Sequence, residues 1–377
     1  MKRVFTVLIC CMLFLAFCIP CRAVGVSAVS AVLIDGFSGR VIYEKNANSK
    51  MSMASTTKIM TALCAIENSQ LDKKITVNPA AVGVEGSSIY LKNGERLTIR
   101  ELVYGLMLSS GNDAAVAIAY AVSGSIESFA ELMNKTAGKI GVKNTHFVNP
   151  NGLDAEGHYT TAYDLAQISA YAMKNEEFRK IVSTYRTTIS YEGQGYDRQL
   201  KNHNKLLKMY DGCIGVKTGF TKKSGRCLVS AAEKNGVTLV AVTLKAPDDW
   251  NDHINMLNYG FERVTLKNVL KKDDYVCTVA VKNGTQKTVK LVLEDSFDIP
   301  QILGITDKVS IKYKIPGKIA APVGYRQCAG KVNIYLNGKC VGEVNAVTDA
   351  TITADNSKNL KRSAFLIFTE FVFNEKK

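Results

Sequence analysis

The sequence lacks several features that define whole classes of protein. Only 7 of its 377 residues are proline, while 46% are hydrophobic and 22% are charged, so a collagen-like repeat and wholesale disorder are excluded. The six cysteines after residue 23 form no C-x-x-C pair, which leaves a zinc site or a thioredoxin-like site without support. No H-E-x-x-H or G-x-S-x-G segment occurs, so the 4 histidines are interpreted as loop or structural residues rather than as parts of a metallopeptidase or an α/β-hydrolase.

A surplus of positive charge is present. The chain has 48 Lys and Arg residues against 34 Asp and Glu residues, a net charge of +14. A basic exported protein is attracted to anionic surfaces such as phosphate-bearing wall polymers or lipid headgroups. Nucleic acid is not expected as a partner, because no basic run is interleaved with aromatic residues.

The first 23 residues predict a signal peptide. Lys2-Arg3 forms a basic start, residues 4–20 are mostly apolar, and small residues precede a cleavage point near Ala23. Two alternatives stay open. One is a membrane anchor, although the apolar run is shorter than the about 20 residues that a span needs. The other is a lipoprotein site at Cys18, although the preceding Phe17 is bulky.

Residues 24–264 predict one α+β domain. Apolar runs at 29–34 and 41–44 flank a turn and indicate a β-hairpin. Helical spacing of apolar residues follows from Ser55, a turn at 109–112 separates two further helical stretches, and Thr161-x-x-Asp164 is typical of a capping box. After Gly212 the pattern becomes a meander of antiparallel strands. Strands at both ends with helices between them predict that hairpin and meander share one sheet.

The remaining chain predicts two further segments. Residues 265–359 are Lys-rich, β-branched and interrupted by turn dipeptides such as Asn337-Gly338, which indicates a small all-β domain. Residues 360–377 predict an amphipathic tail with Leu360, Ile367 and Phe371 on one helical face. The tail is too short to cross a bilayer but could lie in the headgroup layer as a peripheral membrane contact. Docking on the protein's own surface is the alternative.

Three short segments carry chemically useful residues. Ser55-Thr56-Thr57-Lys58 places a hydroxyl and an amine on one helical face, where the lysine can act as a base only if its pKa is lowered. Ser110-Gly111-Asn112 offers a hydroxyl and an amide from a turn. Lys217-Thr218-Gly219 lies on a predicted strand, where glycine lets another chain approach closely. Each segment alone has an ordinary explanation as a helix cap, a helix breaker or a surface strand lysine.

Together and in this order, the three segments match the arrangement of penicillin-binding proteins and class A β-lactamases. Longer matches at 53–61, 106–115, 147–153 and 215–221 make the chain resemble the low-molecular-mass penicillin-binding D-alanyl-D-alanine carboxypeptidases, peptidase family S11. The resemblance covers nearly the whole chain after the signal peptide. It implies a serine β-lactamase/transpeptidase-like α+β domain, with an antiparallel sheet flanked by helices and a helical subdomain, followed by a small all-β domain. It implies no cofactor and no metal.

The resemblance also implies catalytic roles. Ser55 is the nucleophile that forms an acyl-enzyme with the penultimate D-alanine, and Lys58 is its general base. Ser110 relays a proton to the nitrogen of the leaving D-alanine. The implied substrates are peptidoglycan stem peptides ending in D-Ala-D-Ala, β-lactams are the implied inhibitors, and the implied location is the outer face of the cytoplasmic membrane or the cell wall.

Substrate binding is implied for the other motif residues. Asn112 hydrogen-bonds the substrate backbone, and Lys217 and Thr218 bind the terminal carboxylate. The charge of Lys217 also helps to keep Lys58 neutral. The backbone N–H groups of Ser55 and Phe220 form the oxyanion hole, and Gly219 is counted with the substrate-binding residues.

The sequence departs from the family pattern at Phe220, where a histidine often follows the K-T-G. Because the backbone is the oxyanion donor, catalysis should persist with a changed rate or pH dependence. Arg226 and Lys245, in neighbouring strands, could assist with the carboxylate, but we interpret them as solvated strand charges.

Two alternative functions stay open. A β-lactamase on the same fold would need an acid that activates the deacylating water. Glu131 and Asn134 come nearest in sequence, in what is otherwise an ordinary helical pattern. A non-catalytic wall-binding protein is the second alternative, and the intact motif residues argue against it.

Overall fold

The computed structural model describes residues 24–355 except Glu192 and Gln194. The predicted signal peptide and the predicted amphipathic tail therefore lie outside the described residues. The described chain divides into two compact units, the first ending at Arg263 and the second beginning at Val264. Among the described residues no single helix is long and apolar enough to span a bilayer, and only one bent pair of helices, 112–123 with 126–140, passes that test jointly.

The first unit contains strands and helices in mixed order. Its strands are β1 Ser30–Asp35, β2 Val41–Lys45, β3 Lys74–Thr76, β4 Arg96–Thr98, β5 Arg186–Ile189, β6 Arg198–Lys201, β7 Cys213–Thr221, β8 Gly225–Lys234 and β9 Val237–Leu244. Its helices are α1 Lys58–Asn68, α2 Ile99–Leu108, α3 Asn112–Ser123, α4 Ile126–Ile140, α5 Ala162–Ala172, α6 Glu176–Ser183, α7 Leu206–Met209 and α8 Asp249–Phe261.

A five-stranded antiparallel sheet forms the centre of this unit, in the order β2-β1-β9-β8-β7. The N-terminal hairpin and the later meander therefore share one sheet, which confirms the α+β prediction. Strand β1 pairs with β9 from Ser30 opposite Leu244 to Asp35 opposite Leu239. Asn235 and Gly236 join β8 to β9 with φ values of 50° and 77°, a backbone conformation that these two residue types adopt at low cost.

The sheet is covered on both faces, which explains why its inner strands are buried along most of their length rather than at alternate residues. On one face Leu33 and Leu239 lie against Gly260 of α8, where an added Cβ would come within 2.6 Å of Leu239. On the other face Val32 and Val242 belong to the main core, together with the buried side of α1. All six residues of β1 are buried as a result.

Helix caps differ from the sequence prediction in one detail. The Thr161 side chain accepts a hydrogen bond from the backbone N–H of Asp164 at 3.0 Å, but the Asp164 carboxylate accepts from Asn144 instead of completing a capping box. The complete capping box lies at the start of α2, between Thr98 and Glu101.

The second unit is all-β, as predicted. Its strands are β10 Val264–Leu270, β11 Tyr275–Lys282, β12 Thr288–Leu293, β13 Phe297–Ile302, β14 Val309–Lys314, β15 Lys318–Ala320, β16 Cys328–Leu336 and β17 Lys339–Thr348. Six of them form a sheet in the order β14-β16-β17-β12-β11-β15, and β10 pairs with β13. The alternating residues Val332, Ile334 and Leu336 all lie in its interior.

The cysteines are free thiols within the described residues. Cys64 and Cys227 are buried, whereas Cys328 and Cys340 are exposed on β16 and β17. Both exposed thiols occupy a strand end of the second unit, where side chains meet solvent.

Candidate active site

Ser55 lies in a 3-10 turn, Ala54–Thr57, that leads directly into α1. The turn is tight because Ala54 has a φ of 48°. Two glycines pack against it: a Cβ added at Gly152 would lie 2.0 Å from the Ala54 carbonyl oxygen, and one added at Gly219 would lie 3.0 Å from the Ser55 backbone nitrogen. These positions admit only glycine without displacing the turn, so the Ser55 backbone is held closely against β7.

Lys58 is completely buried, and its Nζ makes three hydrogen-bond contacts. Its Nζ lies 2.9 Å from Ser55 Oγ, 2.7 Å from Asn112 Oδ1 and 2.6 Å from the backbone oxygen of Asn151. Burial, and then the charge of Lys217, lower the pKa of Lys58 well below its ordinary value, against the opposing charge of Asp113.

These contacts orient a neutral lysine. A neutral amine has two N–H groups and one lone pair, and the oxygens of Asn112 and Asn151 can only accept hydrogen bonds. The two N–H groups of neutral Lys58 therefore point to those oxygens, and the lone pair is left facing the Ser55 hydroxyl. This is the geometry that removal of the serine proton requires.

The second motif lies between α2 and α3. Ser110 has a φ of 60° and lines the cleft, while Asn112 begins α3. The Asn112 Nδ2 donates to the Glu85 backbone oxygen at 2.5 Å, which fixes the orientation of the amide. The amide oxygen faces Lys58, which leaves one N–H of Nδ2, and Asn112 is buried rather than part of the cleft lining.

The third motif lies on β7, at the edge of the sheet. Thr218, Gly219 and Phe220 line the cleft, and the Phe220 side chain is 66% exposed. Lys217 is only 1% exposed and donates to the Thr218 backbone oxygen at 2.9 Å. Burial lowers the pKa of Lys217 to about 7.

The cleft has a volume of about 480 Å³. It brings together residues of all three motifs with four residues that the sequence did not indicate. The lining consists of Ser55, Ser87, Ser110, His203, Thr218, Gly219, Phe220, Arg226, Asp249 and Trp250. Ser87 is placed there by Asp113, whose carboxylate accepts hydrogen bonds from the following residues Ser88, Ile89 and Leu91.

Arg226 is not simply a solvated strand charge, contrary to our interpretation of the sequence. Its side chain lines the cleft and binds the Asp249 carboxylate through Nη2 at 2.5 Å and Nε at 3.0 Å. Its guanidinium also lies 5.6 Å from the Trp250 ring centre. Lys245, by contrast, does not line the cleft.

The histidines divide into structural and cleft residues. His253 is buried between Ser230 and Thr243, which ties α8 to the sheet, and His146 bonds a backbone oxygen in a loop. His203 lies in the loop between β6 and α7 and lines the cleft. Among the described residues, no three His, Cys, Asp or Glu side chains form a metal-binding group.

His158 supports the turn that carries the nucleophile. Its Nδ1 accepts from the Val148 backbone N–H at 3.0 Å, so Nε2 carries the proton and donates to Thr57 Oγ1 at 2.9 Å. Burial is the main cause that lowers the pKa of His158 to about 4. The ring is therefore neutral near pH 7 and anchors the residue next to Lys58.

Glu131 and Asn134, the nearest candidates in sequence for a β-lactamase acid, lie outside the cleft. Asn134, on α4, uses its side chain to bind both the N–H and the carbonyl of Phe147, at 2.9 and 2.8 Å. Glu131 is exposed on the same helix. Neither lines the cleft, and the carboxylate that does, Asp249, is occupied by Arg226.

The fold and the cleft define a serine peptidase of the transpeptidase-like class. The D-alanyl-D-alanine carboxypeptidase family, Peptidase_S11, matches residues 20–248, and the C-terminal domain of penicillin-binding protein 5 matches residues 265–354. The chain belongs to this carboxypeptidase family and is a serine-type D-Ala-D-Ala carboxypeptidase.

Individual relatives and solved structures are similar to 63% or more of this chain. The chain is 35% identical to D-alanyl-D-alanine carboxypeptidase DacF of Bacillus subtilis, over 90% of this chain and 88% of the relative. It is 31% identical to DacD of Escherichia coli, over 86% of each. The structure is similar to penicillin binding protein 5 from Haemophilus influenzae, with a TM-score of 0.62 and 28% identity over 87% of this chain and 98% of that one. The Streptomyces K15 DD-transpeptidase gives a TM-score of 0.59 and 36% identity over 63% of this chain and 98% of that one.

Proposed function

We propose that Ser55 attacks the carbonyl of the penultimate D-alanine in peptidoglycan stem peptides ending in D-Ala-D-Ala. The observation that carries the proposal is the set of three contacts at Lys58 Nζ, which leaves its lone pair facing Ser55 Oγ. Lys58 takes the serine proton, and Ser110 passes a proton to the departing D-alanine nitrogen. Water then hydrolyses the acyl-enzyme and restores Ser55.

The backbone N–H groups of Ser55 and Phe220 stabilise the oxyanion. The support is the close approach of β7 to the 3-10 turn at Gly219, which brings the two backbone segments together. Donors fixed in this way need no reorganisation as charge develops on the carbonyl oxygen.

The terminal carboxylate of the substrate binds at Thr218 and Arg226, with Lys217 behind them. Thr218 and Arg226 line the cleft, whereas Lys217 is buried and contributes mainly its charge. That charge also lowers the pKa of Lys58, which couples recognition of the carboxylate to activation of the base. Asn112 contributes the remaining N–H of its amide to the substrate backbone.

Penicillins acylate the same serine, and the adduct persists. A β-lactamase needs an acid that activates a deacylating water, and within the described chain no unpaired carboxylate lines the cleft. This favours a carboxypeptidase over a β-lactamase. The oriented Lys58 disfavours a purely binding protein, because binding needs no activated hydroxyl.

The same proposal assigns a role to each of the four segments of the chain. Residues 1–23 direct export, 24–264 carry catalysis, 265–359 form the β-rich domain, and 360–377 contact the membrane surface peripherally. The enzyme then works at the outer face of the cytoplasmic membrane or in the cell wall, where it trims peptidoglycan and influences cell shape. It uses no cofactor and binds no nucleic acid.

Mass spectrometry of the chain without its first 23 residues tests this proposal. Incubation with penicillin should give one stable adduct on Ser55, and the same protein should release D-alanine from a D-Ala-D-Ala peptide. Ser55→Ala should lose both, while Ser183→Ala, a change on α6 outside the cleft, should keep both. A wild-type protein without adduct or D-alanine release would contradict the catalytic assignment, and fast turnover of the penicillin adduct would indicate a β-lactamase.

A further inference from the structure

A second cavity, lined mainly by basic side chains, lies outside the catalytic machinery. It has a volume of about 580 Å³. Of its lining residues, His203 alone also lines the catalytic cleft, and none is assigned above to catalysis or to substrate binding. The lining consists of Tyr185, Lys201, Asn202, His203, Lys205, Lys208 and Met209. We call this the lysine cavity.

The segment between β6 and α7 displays its basic residues by strict alternation. Lys201, His203 and Lys205 are exposed, whereas Asn202 and Asn204 between them are buried. The Oδ1 of each buried asparagine accepts a hydrogen bond from the backbone N–H two residues further on, at 2.9 Å for Asn202 and 3.1 Å for Asn204. These contacts fix the loop, so the cations project from a rigid support.

The charge of the lysine cavity is uncompensated. The Nζ atoms of Lys208 and Lys201 lie 4.7 and 6.0 Å from the centre of the Tyr185 ring, and the guanidinium carbon of Arg186 lies 5.6 Å from it. An aromatic ring attracts cations without cancelling their charge. No Asp or Glu is among the described lining residues, and the carboxylate of Asp211, nearest along the chain, pairs with a lysine on β8 instead. An anion that enters the cavity therefore relieves the repulsion between these cations.

The lysine cavity offers charge but few hydrogen-bond partners for a peptide. The Asn202 Nδ2 already donates to the backbone oxygens of Val182 and Thr184, at 3.1 Å each. The backbone N–H of His203 donates to the oxygen of Leu108 at 3.2 Å. A polypeptide that entered here would bury backbone amides without partners, which costs free energy. An anionic chain without amides avoids that cost.

We propose that the lysine cavity binds a linear polymer whose units are joined by phosphodiesters, of the kind present in phosphate-bearing walls. Such a chain carries its charges in its own backbone and is slim enough for a concave cavity that a flat layer of lipid headgroups cannot enter. The site goes beyond the proposed function, because it uses neither Ser55 nor Lys58. Bound polymer retains the exported enzyme in the wall while the catalytic cleft stays free.

Fluorescence anisotropy of a labelled synthetic poly(glycerol phosphate) tests the proposal on the chain without its first 23 residues. For the wild type, the logarithm of the binding constant should fall linearly with the logarithm of the salt concentration, because phosphate contacts release counterions. Lys201→Gln/Lys205→Gln/Lys208→Gln should bind about tenfold more weakly at about 0.1 M salt. Its salt slope should be smaller by about 2, at about 0.7 for each lysine lost.

Three controls make the test specific. Lys135→Gln/Lys139→Gln/Lys143→Gln removes three exposed charges at α4 and just after it and should bind the polymer as wild type does. Ser55→Ala should also bind as wild type, since binding needs no acyl-enzyme. A poly-glutamate with the same number of charges should bind more weakly, because its amides find no partners in the cavity. D-alanine release within about twofold of wild type shows that both triple variants are folded.

Four outcomes would overturn the proposal. A wild type that releases D-alanine but does not bind the polymer removes the site and leaves the proposed function intact. Equal weakening in both triple variants shows a general charge effect, and equal binding of poly-glutamate shows a site for any polyanion. Binding to phosphatidylglycerol vesicles that needs the three lysines, without polymer binding, assigns the cavity to lipid headgroups. Should the triple variant not fold, Lys201→Gln and Lys208→Gln alone should each lower the salt slope by about 0.7, and an unchanged slope in both contradicts the proposal.

Discussion

The side-chain nitrogen of Lys58 lies 2.7 Å from the Oδ1 of Asn112, a residue 54 positions further along the chain. The contact connects the start of α1 to the start of α3 and fixes one N–H of the lysine. Because Asn151 fixes another, the charge and direction of the Lys58 amine depend on residues outside its own motif.

Asn112→Asp should shift the pH dependence of penicillin acylation. A carboxylate at this distance favours the charged form of Lys58 and raises its pKa, so less neutral base is present at a given pH. The acidic limb of the acylation rate should therefore move about 1 to 3 units toward higher pH. Second-order acylation rates measured between pH 5 and 9 check this. Asn48→Asp, an exposed site, is the control, and an unchanged acidic limb in Asn112→Asp would refute the assignment of Lys58 as base.

Gly219→Ala should impair catalysis with little loss of stability. The new methyl group would lie 3.0 Å from the Ser55 nitrogen and 3.1 Å from that of Thr56, and would push β7 away from the nucleophile. Displacing one oxyanion donor costs about 10²- to 10³-fold in rate. Stopped-flow acylation beside thermal unfolding separates the two effects. Gly138→Ala, on α4 with nothing within 4 Å of the added carbon, should leave the rate unchanged.

Arg226→Gln should raise the KM for peptides with a free terminal carboxylate by about tenfold and change kcat little, because a partly exposed charged contact contributes modestly to binding. For a peptide whose C-terminus is an amide, the KM should be the same in this variant as in the wild type, because that peptide has no carboxylate for Arg226 to bind. Lys245→Gln removes a charge outside the cleft and should leave both KM values unchanged. A fall in kcat alone would show that Arg226 acts on chemistry and not on carboxylate binding.

The buried His158 should make stability pH-dependent. Its pKa in the folded protein is about 4, below the ordinary value of 6.5, so protonation favours unfolding. The contribution of the neutral His158 ring to the free energy of unfolding is fully present above pH 6.5 and is lost as pH falls toward 4. The pKa difference corresponds to about 3 kcal/mol, at 1.36 kcal/mol per pKa unit. His158→Gln removes this titration, so urea unfolding from pH 7.5 to 4.5 should show a smaller slope in the variant. The slope due to His253, whose pKa burial lowers to about 3, should persist. Equal slopes in both proteins would place the His158 ring in solvent.

Much of the fold was predictable because its signals are local. The β1–β2 hairpin, the break between α2 and α3, and the β7–β9 meander each arise from turn residues and apolar spacing within about a dozen positions. Thr161 was only partly predictable, since its capping hydrogen bond forms while the Asp164 carboxylate turns to Asn144. When a side chain has several possible hydrogen-bond partners, the residues that pack beside it decide which partner it binds.

The sequence by itself determined the three motifs, the α+β and all-β units and, through resemblance, the carboxypeptidase family. Only the tertiary structure placed Lys58 between Asn112 and Asn151, turned Arg226 toward Asp249, and brought His203 into the cleft wall. The physical reason is the range of the interactions. Hydrogen-bonded turns and apolar periods act between near neighbours, whereas the three contacts of one buried amine depend on how the helices and the sheet edge pack together.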